Sequence, residues 1–551
     1  MKMKRLISFV IVLLLVCGMP VPAFADTWYV DDGNITVNAT DSGQTVSQGE
    51  TTTPDDAPVI TQRNSSTPTT NTVTINAAEN AEANVTLSGV NIYPGDTEGF
   101  GIQTTGAGDV FIELDGTNIV LSGDINAALE KNNDGNLTIA DSNGDGSLTA
   151  IGYTGGAGIG GAGDKSADNI TITGGIIDAS STSGAGIGGG YNGSGSNITI
   201  SGGDVKATGG NGGAGIGGGL GGDGSDITIS GSAEVTANGG SGGAGIGGGW
   251  CGDGSNITIS GSAEVTAKGD LSGAGIGGGN LGSGSKITIS GSAEVTATGG
   301  SDGAGIGGGL GGDGSNITIS GSAEVTAKGD LSGAGIGGGY NGSGSNITIT
   351  EDAQVKAQGS INNNSYATGA AIGNGGKDND VIGDEVEPNT YGLTPNGKIE
   401  YYAPGADINN ATPYKTVTGT YVPSQDEEKP PEEKPPLDEE AVYSAPLYRV
   451  IDQDGEDIPY KAEQRSGVLT LTVDADFASL TGSLCGINAL KEQGIDTIVF
   501  VTKGASSTFA LSDLLAQGST GDSYTLNHNG AAVSFTLDNG ADLGTIMSSR
   551  I

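Results

Sequence analysis

The chain is poor in histidine, cysteine, arginine and aromatic residues. Its 551 residues include one histidine, three cysteines and 5% aromatic residues, and no arginine lies between Arg63 and Arg449. Only 22 lysines and arginines stand against 64 acidic residues, so the net charge is −42. Nucleic acids and anionic membranes are bound through basic side chains, so both are disfavoured as partners. The few aromatic residues also exclude a thick globular core.

The N-terminus has the pattern of a secretory signal peptide. Lys2, Lys4 and Arg5 precede the apolar run 6–16, and the small residues at 23–25 fit a cleavage site. We therefore predict an extracellular protein, secreted or associated with the cell surface. No second apolar stretch is long enough to cross a membrane, so no membrane insertion is expected after signal cleavage.

Glycine is abundant, and it occurs in a repeat. The motif GAGIGG begins at Gly156, Gly184, Gly213, Gly243, Gly273, Gly303 and Gly333, with a degraded copy at Gly369. A period close to 30 residues indicates stacked structural units, none of which buries its apolar face alone. Helical repeats are excluded because glycine interrupts every apolar spacing of three and four.

Each repeat predicts three short strands. Apolar and polar residues alternate in 256–260 and again in 263–267, and Ala244 and Ile246 alternate with glycines. Three strands in about 30 residues are the pattern of a parallel β-helix. We therefore predict an all-β fold whose coils begin near residue 70.

Changes of composition divide the chain into four regions. These are a signal peptide at 1–25, a parallel β-helix at 26–422 with GAGIGGG repeats at 156–375 and caps at 26–70 and 376–420, a Pro/acidic linker at 423–440, and a small α+β module at 441–551. In the module we predict strands at 447–451, 468–473, 497–501, 524–527 and 532–537, and helices at 484–493 and 511–517. A partner at the cell surface is expected to dock on 441–551.

One position of the repeat varies, namely the residue after the glycines. It is Tyr191, Leu220, Trp250, Asn280, Leu310 and Tyr340 in successive repeats. The aromatic members Trp250, Tyr191 and Tyr340 are candidate carbohydrate-binding residues because exposed rings stack on sugars. The alternative is that each ring only covers its own turn. The glycines also have two interpretations: they permit tight corners and close coil contacts, or they form a flat face for a ligand.

Several segments carry a resemblance to a known family. DGNITVNATDSGQTV, VTINAAENAEANVTLSGVNI, DVFIELDGTNIVLSG and the GAGIGGG coils resemble the clostridial carbohydrate-binding family of secreted, polysaccharide-lyase-like right-handed β-helices. The resemblance covers roughly residues 26–375. It implies a right-handed parallel β-helix that binds plant-type or acidic polysaccharide with calcium.

A calcium site has a separate sequence signal. Asp141, Asn143 and Asp145 match the first half of a calcium loop, but Gly152 stands where a bidentate glutamate is required. A tight turn explains the same residues equally well. An acidic column, Asp204, Glu234, Glu264, Glu294 and Glu324, would be stacked by the coils. Calcium would relieve its repulsion and could bridge it to an acidic polysaccharide.

Catalytic residues are scarce, so we predict a binding protein and not an enzyme. The only histidine, His528, is expected in a turn of the C-terminal module, and near-identical coils distribute the carboxylates evenly. Two alternatives remain open. The first is a polysaccharide lyase or hydrolase. The second is a structural or adhesive stalk, with ice binding as a variant because Thr258, Thr288, Thr318 and Thr348 form a column.

Overall fold

The structure is a computed structural model that describes two separate parts of the chain. The described residues are 26–95, 99–359, 368–377 and 381–419, and within 448–550 all residues except 454–457, 466, 485–486, 488–489, 492–494, 518–522, 531 and 538–540. The predicted signal peptide and linker lie outside the described residues. The chain divides into the compact units Met1–Gln425 and Asp426–Ile551, close to the predicted end of the β-helix at 422.

Three long sheets, named A, B and C here, build the first unit. Sheet A contains Thr27–Tyr29, Val59–Thr61, Glu82–Ser88, Asp109–Asp115, Leu137–Ala140, Ala167–Ile172, Gly195–Ile200, Gly224–Ile229, Gly254–Ile259, Gly284–Ile289, Gly314–Ile319 and Gly344–Ile349. Sheet B contains Ile35–Thr40, Gly43–Gln48, Thr51–Pro54, Val73–Ala77, Ile102–Gly106, Leu129–Lys131, Ile159–Gly160, Ile187–Gly188, Ile216–Gly217, Ile246–Gly247, Ile276–Gly277, Ile306–Gly307, Ile336–Gly337 and Ile372–Gly373. Sheet C contains Asn91–Ile92, Thr117–Leu121, Ser147–Gly152, Ile176–Ser181, Asp204–Thr208, Glu234–Ser241, Glu264–Asp270, Glu294–Thr298, Glu324–Lys328, Gln354–Gln358, Lys398–Tyr402 and Lys415–Thr418.

Each coil of the repeat gives one strand to each sheet, and equivalent residues of consecutive coils are paired. Ile257 pairs with Ile287 in sheet A, and Val265 pairs with Val295 in sheet C, both in parallel register. The inward isoleucines, valines and alanines are buried and form one continuous core cluster along the stack. The predicted right-handed parallel β-helix is confirmed.

The prediction that the coils begin near residue 70 is wrong. Thr27–Tyr29 pairs in parallel with Val59–Thr61, and Ile35–Thr40 pairs in parallel with Val73–Ala77. The cap at this end is narrower than 26–70, because only Gly43–Gln48 and the strand after it run antiparallel. Ile35, Val37 and Ala39 already alternate inward like later strands, but the irregular spacing between strands hides this from a search for a fixed period.

The far end of the β-helix is capped within the predicted range 376–420. Lys398–Tyr402 pairs in parallel with Gln354–Gln358 and is the last parallel strand of sheet C. Lys415–Thr418 then runs antiparallel to it, at the edge of the sheet. An antiparallel edge strand ends the coil-by-coil pairing and protects the stack from adding further chains.

The second unit contains two sheets and a short helix among its described residues. The strands are Arg449–Ile451, Phe477–Ser483, Ser523–Asn529 and Ala532–Leu537 in one sheet, and Lys461–Arg465, Val468–Thr472, Thr497–Val501, Ser506–Ala510 and Met547–Arg550 in the other. The helix Leu511–Leu515 lies inside the predicted range 511–517. Of the predicted helix 484–493, most residues lie outside the described part of the chain.

His528 lies in a strand and not in the predicted turn. It belongs to Ser523–Asn529, and the turn begins only at Gly530. The imidazole is fully buried between Thr502 Oγ1, 3.0 Å from Nδ1, and Ser507 Oγ, 2.8 Å from Nε2. The ring also packs on Phe500, with 4.8 Å between ring centroids. The histidine is therefore part of the core of the second unit.

Acid is expected to destabilise the second unit through His528. Burial lowers the pKa of His528 to about 4, so the unfolded chain binds a proton more readily than the folded one. The contribution of neutral His528 to the free energy of unfolding is fully present above pH 6.5. It is lost as the pH falls towards 4, and the loss is about 3 kcal/mol in total. Because the chain has one histidine, its imidazole signals in proton NMR are unambiguous and report this pKa directly.

The control for this prediction is His528→Gln, which keeps hydrogen-bonding groups but cannot titrate in this range. Between pH 6.5 and 4, its second unit should lose less free energy of unfolding than that of the parent protein does. An imidazole that titrates near its ordinary pKa in the folded protein would contradict the prediction.

Candidate functional site

The GAGIGGG segments are packed inside the protein and do not form an exposed face. Every residue from Gly243 to Gly249 is buried. A Cβ atom on Gly247 would lie 2.0 Å from the carbonyl oxygen of Gly277, and one on Gly249 would lie 1.9 Å from that of Gly219. The hypothesis of a bare glycine face open to a ligand is therefore wrong. The glycines are needed because backbone packs directly on backbone between coils.

The residues that follow the glycines form one column along an edge of the β-helix. The Trp250 N–H donates to the Gly212 carbonyl at 2.7 Å, and the Trp250 carbonyl accepts from the Gly221 N–H at 2.8 Å. The equivalent bonds recur at Tyr191 and Tyr340. The structure thus brings Trp250, Tyr191 and Tyr340 together in register. For a rise of about 4.8 Å per coil, Tyr191 and Trp250 are roughly 10 Å apart, and Trp250 and Tyr340 are roughly 14 Å apart.

Side chains of this column pack on nearby glycine turns. The Trp250 ring lies against Gly242, where an added Cβ would be 2.9 Å from Cε3, and Leu220 covers Gly212 in the same way. Tyr191 is nevertheless 39% exposed, and Trp250 and Tyr340 are half-buried. Trp250 therefore packs on a turn and still keeps part of its surface accessible from outside.

The same edge carries apolar side chains that the sequence did not single out. Leu271 is 53% exposed and Leu331 39%, and Tyr153 and Ile125 are exposed at the start of the edge. Gly155 connects the two groups, because its carbonyl accepts the Tyr191 N–H and a Cβ added to it would lie 3.8 Å from the α-carbon of Ile125. We call the column with these four residues the apolar edge. It contrasts with the strongly acidic composition of the chain.

The residue directly after the column has a left-handed backbone, and it is the second position at which two otherwise identical coils differ. Coil 243–272 has Cys251 where coil 303–332 has Gly311, and both adopt a left-handed backbone, with φ of 64° and 74°. The equivalent residues Asn192, Gly221, Leu281 and Asn341 do so as well. Glycine and asparagine suit this conformation, and Cys251 and Leu281 adopt it against their preference.

Two polar ladders run beside the apolar edge and were not predicted. In the first, amide side chains with left-handed backbone stack, and the Asn256 Nδ2 donates to Asp226 Oδ1 at 3.1 Å. In the second, the Asp253 N–H donates to Asp223 Oδ1 at 2.8 Å, and the Ser283 N–H donates to Asp253 Oδ1 at 2.7 Å. Burial and the carboxylates on either side raise the pKa of Asp253 to about 7. The recurring GDGSN sequence was the available signal for both ladders.

The acidic column lies where it was predicted, on the outer face of sheet C. Glu234, Glu264, Glu294 and Glu324 are paired in register and exposed. A groove of about 600 Å³ lies over the last coils of this face and contains two of these glutamates together with lysines and Tyr402. A smaller groove of about 250 Å³ continues along the acidic column. Sheet C therefore offers an acidic, grooved surface separate from the apolar edge.

The predicted calcium loop is closed by its own hydrogen bonds. It connects Leu137–Ala140 to Ser147–Gly152, and the two carboxylate oxygens of Asp141 accept the N–H groups of Gly144 and Gly146 at 2.8 and 3.0 Å. Asn143 Oδ1 accepts the N–H of Asp145 at 3.3 Å. These are the bonds of a tight turn, in which the side-chain oxygens of Asp141 and Asn143 accept from the backbone of the loop itself. Within the described residues, no group of three or more acidic, histidine or cysteine residues is arranged to hold a metal ion.

Comparison with known proteins supports the repeat architecture. A family model described as Beta helix repeat matches residues 170–191, 198–220, 227–250, 257–280, 287–310 and 317–340. No curated protein and no solved structure matches the chain. The helices in the described part of the chain are too short or too polar to cross a membrane. The matched segments run from sheet A through sheet C to the column at the apolar edge, so the chain contains β-helix repeats in the region of the candidate site.

Proposed function

We propose that the protein binds polysaccharide at the apolar edge without catalysing a reaction, as a secreted or surface-associated protein. The observation that carries this proposal is the register of Tyr191, Trp250 and Tyr340 along one edge. A row of partly exposed rings, two and three coils apart along one edge, matches an extended polymer of pyranose rings better than it matches a compact ligand. Large exposed apolar side chains on a soluble surface are also a common mark of a binding site.

The energetics favour a polymer as the ligand. One aromatic contact on a sugar contributes on the order of 1 kcal/mol, which is too little for useful affinity alone. Several contacts along one chain act together, because the first contact raises the effective concentration of the next. Since the coils hold the column rigidly, little conformational entropy is lost on binding.

Acidic polysaccharide requires a cation in this proposal. The net charge of −42 repels a polyanion, and calcium could bridge the acidic column of sheet C to sugar carboxylates. We therefore expect binding of neutral glycans to be independent of calcium and binding of acidic glycans to require it. The loop of Asp141 remains a predicted calcium site, tested by the same comparison of calcium with chelator.

The non-catalytic part of the proposal rests on the positions of the titratable groups. His528 is buried in the second unit, and the glutamates of sheet C repeat from coil to coil without a distinct pair. The alternative of a lyase or hydrolase is tested by incubating pure protein with pectin, cellulose and xylan and measuring unsaturated or reducing sugar. Release that is lost on replacing one acidic residue would contradict the proposal.

Trp250→Leu is expected to weaken retention on the bound polysaccharide about five-fold, since losing one stacked ring removes about 1 kcal/mol. The substitution copies Leu310 of a nearly identical coil, so the thermal unfolding temperature should hardly change. The reciprocal variant Leu310→Trp should strengthen retention, because it adds a ring one coil from Tyr340. Affinity gels and pull-down on insoluble glycans measure both effects.

Ile176→Ala is the matched control, because Ile176 is an exposed apolar residue of sheet C away from the apolar edge. It should bind like the parent protein. Unchanged retention of Trp250→Leu, Leu310→Trp and the triple variant with Tyr191→Ala and Tyr340→Ala would show that the rings only cover their turns.

A further inference from the structure

The outer face of sheet A carries two columns of hydroxyl groups with strict register. Thr228, Thr258, Thr288, Thr318 and Thr348 are paired one to the next along the sheet. Directly after these strands, two residues beyond each threonine, lie Ser230, Ser260, Ser290, Ser320 and Thr350, whose N–H groups donate to the last isoleucine of the preceding coil's strand. All ten residues are half-exposed, and the isoleucines between them are buried. We call this array the hydroxyl lattice.

The spacing of the hydroxyl lattice is set by the backbone. Neighbours along a column are about 4.8 Å apart, the distance between hydrogen-bonded strands, and neighbours across the columns are roughly 6.6 Å apart, the length of two strand residues. Threonine is branched at Cβ, so its χ1 angle is restricted and the hydroxyls of one column take similar positions. The result is a regular two-dimensional array and not a set of independent polar groups.

These hydroxyls are available to an external ligand. None of the ten side chains forms a hydrogen bond to another group within the described residues. The comparison with sheet C is informative, because the threonine column Thr236, Thr266, Thr296 and Thr326 lies directly between the acidic column and lysines such as Lys268. In sheet A the residue two positions before each threonine is charged only at Asp226 and Lys286 and is asparagine in the other three coils, so this column has fewer charged neighbours than the threonine column of sheet C.

We infer that the hydroxyl lattice binds the surface of ice. A hydroxyl that binds a dissolved sugar exchanges a bond to water for a similar bond to the ligand, so the net gain per contact is small. Ice differs from a sugar, because the waters already held by the hydroxyls become part of the ligand and need not be removed. A rigid array then aligns many such waters at once. Its fixed repeat therefore favours a ligand that has a fixed repeat itself, namely an ordered crystal. This activity uses a different face from the proposed polysaccharide site.

The test is inhibition of ice recrystallisation by the full mature protein, with two pairs of variants. Thr258→Lys and Thr288→Lys place long charged side chains in the centre of the hydroxyl lattice. Thr266→Lys and Thr296→Lys make the same change at exposed threonines of sheet C in the same coils. We expect the parent protein and the sheet C pair to inhibit recrystallisation and to shape ice crystals, and the sheet A pair to lose both effects. Circular dichroism and thermal unfolding of each variant establish that the fold is retained.

The outcomes separate this inference from the proposed function. Absence of any effect of the parent protein on ice overturns the inference, whatever its binding to polysaccharide. Equal loss in both pairs also overturns it, because the effect would then depend on net charge and not on the lattice. Retention on crystalline cellulose that is lost only in the sheet A pair, without activity on ice, would reassign the lattice to a crystalline glycan. Trp250→Leu should leave the effect on ice unchanged, since Trp250 lies on the apolar edge.

Discussion

Gly247→Ala is expected to destabilise the β-helix by on the order of 4 kcal/mol, which combines the strain of an unfavourable backbone with overpacking. The φ angle of Gly247 is 129°, and an added Cβ would lie 2.0 Å from the Gly277 carbonyl oxygen. The neighbouring coil cannot move away, because Ile246 and Gly247 are paired in register with the next coil. The measurement is thermal or denaturant unfolding of the protein, monitored by circular dichroism.

Gly221→Ala provides the matched control for this prediction. Gly221 also has a positive φ of 77°, but an added Cβ would meet only Asn192, with Oδ1 at 3.4 Å and Cα at 4.0 Å. Its cost should therefore be that of the backbone conformation alone, about 1 kcal/mol. If both variants unfold at the same temperature, the packing of backbone on backbone is not what requires glycine at position 247.

Asp253→Ser is expected to stabilise the β-helix at pH 8, by up to about 4 kcal/mol, and to flatten its dependence on pH. Burial and the charges of Asp223 and Asp313 raise the pKa of Asp253 to about 7, so the folded protein holds a proton that the unfolded chain has already released. For the parent protein, this contribution is fully present below pH 3.8 and is lost as the pH rises to 7. Serine occupies the equivalent position 283, where it accepts the Asp313 N–H.

The control for the second prediction is Asp204→Ser, which removes the same charge from an exposed position of sheet C. It should not reproduce the stabilisation that Asp253→Ser gives at pH 8. A parent protein whose β-helix is equally stable at pH 4 and pH 8 would contradict the role assigned to Asp253.

The two units are thus expected to respond to acid in opposite directions. The β-helix gains stability as Asp253 takes up a proton, and the second unit loses stability as the buried His528 is forced to do so. Going from pH 8 to pH 4 should therefore shift the melting temperatures of the two units in opposite directions. A single apparent melting temperature would average these effects and hide both.

The sequence predicted the β-helix well because its signal is periodic. Alternation around Ile257 and Val265 fixes which residues face inward, and the constant period fixes which residues are neighbours in space. The same constant period predicts that the acidic column and the column of Trp250 are each stacked in register. At residues 26–70 the spacing between strands is irregular, and there the predicted start of the coils was wrong.

Other properties could not be predicted because the residue type is compatible with both outcomes. A glycine is suited to an exposed flat surface and to close packing of backbone, so the sequence alone could not tell that Gly247 is buried. His528 precedes Asn529 and Gly530, which favour a turn, yet the strand continues to Asn529 because Phe500 and Ser507 bury the imidazole. Such positions are decided by contacts distant in sequence.

The stacking of glycine layers has a consequence for how this protein can change in evolution. Each layer meets only the layers before and after it, and the layer of Gly243 contacts that of Gly213 through the same atoms with which the layer of Gly273 contacts that of Gly243. Removing or duplicating the 30 residues from 243 to 272 therefore rejoins surfaces that already fit. Recombination between repeats can lengthen or shorten the protein by whole coils, and with it the number of ligand contacts, without designing a new interface.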